Sequence, residues 1–427
     1  MNINDNLKVP FTPEPIKLEE LGGGRIFTLR GPRQVGKTRF LKNLLHTAVK
    51  FRPVYESLDI VRTDRELVAL IKRLIKEHNP KLMLLDEISS VARWQKAIKY
   101  LADKNEIDGI DFVLSGSSAT DIKRGAERLP GRRGPEVAGG WDRILLPLNF
   151  FQFVKHTVQL AADEIDKVIA NADSPHLLPN ELHQKLYDSF VNFVNIGGFP
   201  LSLLAWQSGI EMPFRTMMAI IRSDFEKRKK SRIILDQVLT RLNQVTGSAI
   251  TWEKFAQSIT ATKIVSRQYV DELCENYLAM EIECWDLGRN QRAPRKPRKL
   301  YWIDPLIPAA IFSDGLAPNV EMPPMVESVV AFELIRMHET NLWEGLNQQR
   351  HTYLWRDSRG NEVDFAILGD KRHAIEVKWQ NKVSEWDAKV LNKTFRGGTL
   401  LCKKQFARFG NVDVMPVYWF LFFLAHE

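Results

Sequence analysis

Cysteine is scarce in this chain of 427 residues: only Cys274, Cys284 and Cys402 occur, and no two stand as a C-x-x-C pair. That excludes a zinc ribbon and a disulfide framework, and it predicts a reducing, cytoplasmic setting. Residues Met1 to Glu20 lack an apolar core, so they do not read as a signal peptide. Long hydrophobic runs are missing too. The longest, Val412 to Leu424, falls short of the ~20 residues a membrane span needs and is interrupted by Pro416. It reads as a buried terminal strand, and no membrane partner is expected. There is no internal repeat and no low-complexity tract.

What is present is the composition of globular domains, with 44% hydrophobic and 26% charged residues. The length predicts about two to four domains. The formal charge of +8 favours an acidic partner only if the basic residues cluster.

The first region, to about Phe153, alternates apolar strands with amphipathic helices. Arg25 to Leu29, Val54 to Leu58, Leu82 to Leu85 and Asp111 to Leu114 read as strands. Arg39 to Lys50, Asp64 to Glu77 and Val91 to Ala102 read as helices. This alternation predicts a parallel sheet with helices on both faces. From about Lys155 to Ser231 the pattern is helical, broken by Gly197-Gly198-Phe199-Pro200. A second helical region follows from Ile233 and ends in a basic segment, Arg289 to Lys299. The last region begins helical, around Val326 to Glu339. It then reads as strands at His351 to Arg356, Glu362 to Leu368 and His373 to Trp379.

Gly31-Pro32-Arg33-Gln34-Val35-Gly36-Lys37-Thr38 matches G-x-x-x-x-G-K-[ST], between a strand and a helix. Glycines let such a loop turn its N–H groups toward phosphates, and the following helix adds its positive end. Lys37 is expected on the β- and γ-phosphates of ATP, and the Thr38 hydroxyl on Mg²⁺. Asp86 and Glu87 end the apolar strand Leu82 to Leu85. Asp86 is expected to bind Mg²⁺ and Glu87 to polarise the attacking water. Ser115, with Ser117 and Ser118 close behind, ends the next strand and is the candidate contact to water and γ-phosphate. Arg132 and Arg133 are candidates for stabilising transition-state charge, in their own site or a neighbour's; a solvated basic loop is the alternative. These motifs predict an ATPase.

Several motifs in order resemble a known family. They are Arg33 to Thr38, Leu85-Asp86-Glu87-Ile88 with Trp94, Leu114 to Ser118 and Leu146-Pro147-Leu148-Asn149-Phe150. Gly197 to Pro200, Glu362-Val363-Asp364-Phe365 and Ile375-Glu376-Val377-Lys378 complete the series. The chain resembles the prokaryotic AAA-type ATPases, related to the archaeal ATPase group, that carry a C-terminal domain of unknown function. The resemblance implies an α/β P-loop AAA-type parallel-sheet core over residues 1–154 and a helical lid over 155–232. It implies a winged helix over 233–300 and a restriction-endonuclease-like α/β domain over 301–427. The sequence departs from the usual pattern at Asn149, where serine is common, at Ser89, where glutamine often stands, and at Val363, where proline is frequent.

The residues themselves also suggest the winged helix. Thr251 to Ile259 and Ser266 to Ala279 read as helices, the second with Ser266 as N-cap. Val270, Leu273, Cys274 and Tyr277 share one face, leaving Arg267, Gln268 and Asp271 outward. Arg289, Arg292, Arg295, Lys296, Arg298 and Lys299 then fall where a wing would be. A helix followed by a basic wing suits DNA. A winged helix that docks protein, or a solvated basic hairpin, would show the same pattern.

In the last region Asp364 lies on one strand, and Glu376 and Lys378 lie two apart on the next, on one face. Carboxylates on adjacent strands can hold Mg²⁺ through oxygen. This D…E-x-K pattern predicts a nuclease site, intact or vestigial, and the resemblance adds Glu327 as its fourth member. The alternative is a charged outer face of a hairpin. The expectation is an ATP-driven switch acting on DNA. The runner-up is a regulatory ATPase whose nucleotide state controls protein contacts, and an oligomer is compatible with either.

Overall fold

The computed structural model describes residues 15–116, 119–157, 159–338, 342, 346–347, 350–368 and 372–424. Ser117 and Ser118, candidates for a phosphate contact, lie outside them. The chain divides into two compact units, Met1–Leu146 and Pro147–Glu427.

In the first unit strands and helices alternate: β1 (Ile26–Arg30), α1 (Lys37–Thr47), β2 (Pro53–Ser57), α2 (Asp64–His78) and β3 (Leu82–Asp86). Next come α3 (Trp94–Asp103), β4 (Asp111–Ser115), α4 (Ala119–Ala126) and β5 (Asp142–Ile144). The five strands form one sheet in the order β2-β3-β4-β1-β5, all parallel. Strands β1, β3 and β4 are buried throughout, which is why they read as unbroken apolar runs. Thr63 starts α2 as a capping box: its hydroxyl accepts from the Glu66 N–H, and Glu66 accepts in return from the Thr63 N–H.

The second unit opens with helices: α5 (Phe150–His156), α6 (Ala162–Ala170), α7 (Asn180–Ile196), α8 (Pro200–Gln207), α9 (Phe214–Lys227), α10 (Arg232–Val245), α11 (Trp252–Ala256) and α12 (Lys263–Glu275). Short strands β6 (Ala279–Ile282), β7 (Cys284–Asp286), β8 (Gln291–Arg292) and β9 (Lys299–Trp302) follow. Then come α13 (Leu306–Ser313), α14 (Met322–His338), β10 (Thr352–Arg356), β11 (Glu362–Ile367) and β12 (His373–Val377). The chain ends with β13 (Gly398–Cys402), β14 (Ala407–Phe409), β15 (Val412–Pro416) and α15 (Val417–Leu424). β6 and β9 pair antiparallel as a sheet of their own. The other strands form a mixed sheet in the order β14-β15-β13-β12-β11-β10-β7-β8.

The departure at Asn149 is conservative in effect. Its side chain accepts from the Gln152 N–H at 2.8 Å, and Gln152 accepts from the Asn149 N–H at 3.0 Å, so the start of α5 is capped. Gly198 is required by close approach. A Cβ there would lie 2.1 Å from the Leu148 carbonyl oxygen, where the backbone closes a Leu148-to-Gly198 hydrogen bond. Two sequence expectations are corrected. The terminal apolar run is not one strand: Pro416 ends β15 and the rest coils into α15. The second helix of the expected winged helix starts earlier, at Lys263, capped by Thr262, and Ser266 is buried within it.

Candidate functional site

Because β1, β3 and β4 run parallel, their C-terminal ends share one sheet edge, bringing residues 31–38, 86–87 and 115 to it. The loop between β1 and α1 turns through left-handed backbone at Gly31, Gln34 and Gly36. A Cβ on Gly31 would lie 2.0 Å from the Leu145 carbonyl oxygen, so only glycine fits. Lys37 is buried, and its ammonium donates to the carbonyl oxygens of Gly31 at 2.9 Å and Pro32 at 2.8 Å. Its charge is thus held over the loop that would surround phosphate. Thr38 is exposed at the start of α1. Arg33, Gln34 and Val35 complete the loop, with Val35 buried beneath it.

Asp86 is buried at the end of β3, between two neighbouring strands that each supply a donor. From β4 the Ser115 hydroxyl donates to Oδ1; from β2 the Tyr55 hydroxyl donates to Oδ2 at 3.2 Å. The Glu87 N–H also donates to Oδ1, at 3.1 Å. Burial raises the Tyr55 phenol above its ordinary pKa, and the Asp86 charge adds to that, so it stays a donor. Glu87 follows in left-handed backbone, half-exposed. The Ser115 hydroxyl thus lies at the same sheet edge, hydrogen-bonded to Asp86. Tyr55 was missed in the sequence; its signal was a lone hydroxyl ring in the strand next to the acidic pair.

A buried lysine over a glycine loop, an exposed threonine at the helix start and a fixed carboxylate beside it fit a magnesium nucleotide. Thr38 and Asp86 would hold the ion, which neutralises phosphate charge when bound.

Arg132 and Arg133 are placed elsewhere. Arg133 is 7% exposed, and its guanidinium donates to the Ile26 carbonyl at 3.0 Å, Asp142 at 2.7 Å and the Thr28 hydroxyl at 3.2 Å. Ile26 and Asp142 begin their strands, so this arginine ties β1 to β5 at the sheet edge opposite the loop. Arg132 pairs with Asp103, the last residue of α3, at 2.6 Å. The expectation that either serves this unit's own phosphate site is corrected.

In the second unit the structure brings Glu327, Asp364, Glu376 and Lys378 together. The ladder Phe365↔Ile375 sets Asp364 beside Glu376, whose carboxylate accepts the Asp364 N–H at 3.3 Å. Lys378 lies 2.6 Å from Glu376. Three residues missed as members of this site, Lys299, Glu362 and Tyr301, complete the group. Lys299 of β9 is 2.7 Å from each of Glu327, Glu362 and Asp364. Tyr301, two residues on and on the same face, donates to Glu327 at 2.6 Å. Burial, then the Asp364 charge, pushes Glu327 up to about 7 and Glu376 up to about 8. Burial alone would lower Lys299, but Asp364, Tyr301 and the other carboxylates hold it well above the usual lysine range.

The expected DNA-facing residues separate into two sets. Arg267, Gln268, Arg289, Arg292 and Arg295 are exposed, and Lys296 is half-buried. Arg292 is 3.7 Å from Glu283 and Lys296 is 3.9 Å from Asp286. Arg298 and Lys299, by contrast, are 3% and 2% exposed. Arg298 pairs with buried Glu281 and donates to the Pro294 carbonyl at 2.5 Å. Neither can face a ligand, which corrects their assignment to a basic wing.

Residues 23–154 match the family described as an AAA domain, and residues 324–420 match a domain of unknown function (DUF4143). An uncharacterized protein of Methanocaldococcus jannaschii is 24% identical over 392 residues, covering 88% of this chain and 78% of its own. A Walker-type ATPase of Pyrococcus abyssi aligns at 11% identity over 69% of this chain and 92% of its own, with a TM-score of 0.42. Cdc6p from Pyrobaculum aerophilum aligns at 13% identity over 68% and 88%, with a TM-score of 0.24. Among the described residues no single helix is long and apolar enough to cross a membrane. Over residues 23–154 the chain carries an AAA domain with a parallel P-loop sheet, and over residues 324–420 it carries a domain of unknown function.

Proposed function

We propose that the chain is an ATP-driven switch: the first unit binds and hydrolyses ATP, and the second engages DNA. The observation that carries the ATPase half is the shared sheet edge where buried Lys37, exposed Thr38 and the doubly held Asp86 meet. In this reading Lys37 leaves the Gly31 and Pro32 carbonyls for the phosphates, and Glu87 orients the attacking water. Tyr55 and Ser115 keep Asp86 in one orientation, so its carboxylate need not reorganise when the magnesium nucleotide arrives.

The DNA half rests on the run α10, α11, α12, β6 and β9, read as a winged helix over residues 233–300. Arg267 and Gln268 stand outward on α12, and Arg289, Arg292, Arg295 and Lys296 stand on the segment between the paired strands. The D…E-x-K group then belongs to a restriction-endonuclease-like fold, read here as a DNA-holding domain. One observation favours protein contacts instead: Glu283 and Asp286 lie beside Arg292 and Lys296 and temper the positive field. ATP hydrolysis measured alone and with single- and double-stranded DNA tests the proposal. Stimulation or inhibition that fades with salt supports it, and indifference to both DNA forms removes the DNA half.

A further inference from the structure

The carboxylates gathered around Asp364 would be expected to take a divalent cation in a restriction-endonuclease-like fold. A lysine ammonium has three N–H donors and no acceptor. The Lys299 ammonium lies 2.7 Å from three carboxylates: it donates hydrogen bonds to Glu327 and Asp364 and forms an ion pair with Glu362. The carboxylate oxygens are engaged on their other sides as well. Asp364 Oδ2 accepts the Val377 N–H at 2.9 Å, and Glu376 accepts from Lys378 and from the Asp364 N–H. Glu327 accepts the Tyr301 hydroxyl, and Glu362 lies 3.8 Å from Arg356. Among the described residues, no three His, Cys, Asp or Glu side chains are grouped as metal ligands.

We infer that Lys299 is the resident cation of this cluster, standing where a divalent ion would bridge the carboxylates, so that the C-terminal domain works without metal-dependent cleavage of DNA. Mg²⁺ demands near-octahedral oxygen ligation at about 2.0–2.1 Å. Here the carboxylates close instead on a tetrahedral ammonium. A cation could enter only by expelling a buried ammonium from three carboxylate partners, which is costly for a charge held inside the protein. Access is not the obstacle, because a cleft of about 520 Å³ lined by Glu327, Val377 and Trp379 opens beside the cluster. Lys299 sits on β9 while Asp364 and Glu362 sit on β11, so the same ammonium also joins the small β6–β9 sheet to the mixed sheet.

The inference is independent of the ATP reading, since the first unit can hydrolyse ATP whichever way it falls. The test uses the full chain without nucleotide, with Mn²⁺ binding counted by electron paramagnetic resonance. The wild-type protein is expected to retain no Mn²⁺ that Asp364→Asn removes. Lys299→Ala, which empties the ammonium position, is expected to gain one bound Mn²⁺ and to lose it again when Asp364→Asn is added. The same Lys299→Ala protein should melt about 10 °C lower, with Mn²⁺ restoring part of the loss. Wild-type Mn²⁺ binding abolished by Asp364→Asn would overturn the inference. So would plasmid cleavage that requires Mg²⁺ and disappears in Asp364→Asn, or a folded Lys299→Ala protein that gains no ion. Should Lys299→Ala fail to fold, the wild-type comparison with Asp364→Asn decides the matter alone.

Discussion

Lys37 and Asp86 are both buried polar groups; Lys37 is fixed locally and Asp86 by side chains of two neighbouring strands. The Lys37 ammonium rests on two carbonyls of its own loop. A phosphate offers it an opposite charge in place of two neutral dipoles, and charge-assisted hydrogen bonds are about twice as strong. Lys37→Ala should therefore weaken ATP binding by about two orders of magnitude, read by fluorescent-nucleotide titration. Glu87→Gln keeps shape and removes only the charge that polarises water. It should bind ATP within about threefold of wild type while turnover falls at least ~10²-fold. Unchanged turnover would show the water-activating group to be another residue. Tyr55→Phe removes one donor from Asp86 without opening a cavity. The Mg²⁺ concentration for half-maximal hydrolysis should rise about fivefold, with little change in thermal stability. A response confined to stability would make Tyr55 a packing residue only.

Elements place these residues, and at this scale the sequence was read with uneven success. The strands of the first unit were legible because full burial leaves unbroken apolar runs such as Leu82 to Leu85, and the glycines of the loop punctuate them. Lys299 was misread because its neighbours Arg295, Lys296 and Arg298 suggested a solvated basic run. Its own strand held the better clue, since Lys299 and Tyr301 alternate with Leu300 and Trp302 inside a strand buried on both faces. A lysine there must meet carboxylates, and those came from α14 and β11, distant in sequence. Arg133 was misread for a similar reason: a basic pair in a glycine loop looks mobile, yet two of its partners, Ile26 and Thr28, lie far off in the chain, and the third, Asp142, stands on the next strand. Asp304 is another buried charge invisible to pattern reading. It accepts the Gly198 N–H at 2.7 Å and the Leu306 N–H at 2.8 Å, and burial lifts its pKa to about 7 against those bonds and nearby Arg336. Its folded pKa exceeds the unfolded value of 3.8, so the folded state binds the extra proton between them. Stability should therefore fall as pH rises from about 4 to about 7, and Asp304→Asn should flatten part of that slope. A slope identical in the variant would show that this carboxyl stays ionised throughout the range.

For the molecule as a whole, the open question is whether the second unit meets a polyanion. The buried positions must be left intact to ask it. Arg298 and Lys299 are held by Glu281 and by the Asp364 cluster, so replacing them would damage the fold and confuse the result. Replacing only Arg289, Arg292, Arg295 and Lys296 with glutamine removes charge from exposed or half-exposed positions. Such changes should leave the melting temperature within about 2 °C of wild type. If the segment tracks a DNA backbone, each residue that neutralises a phosphate contributes about 0.9 to the slope of log affinity against log salt. Arg289 and Arg295 should account for most of the loss. Arg292 and Lys296 are already shared with Glu283 and Asp286, so they release fewer counter-ions on binding. A matched Glu283→Gln, Asp286→Asn variant should move the slope the opposite way, because it frees those two cations for phosphate. Both shifts together, measured by fluorescence anisotropy between low and moderate salt, would identify the segment as a docking surface for nucleic acid. Slopes unmoved by either set of changes would leave the basic residues with no part in DNA binding. The same surface, with cations and carboxylates interleaved, would then suit the mixed charge of another protein, and nucleotide-dependent protein capture would become the experiment to run.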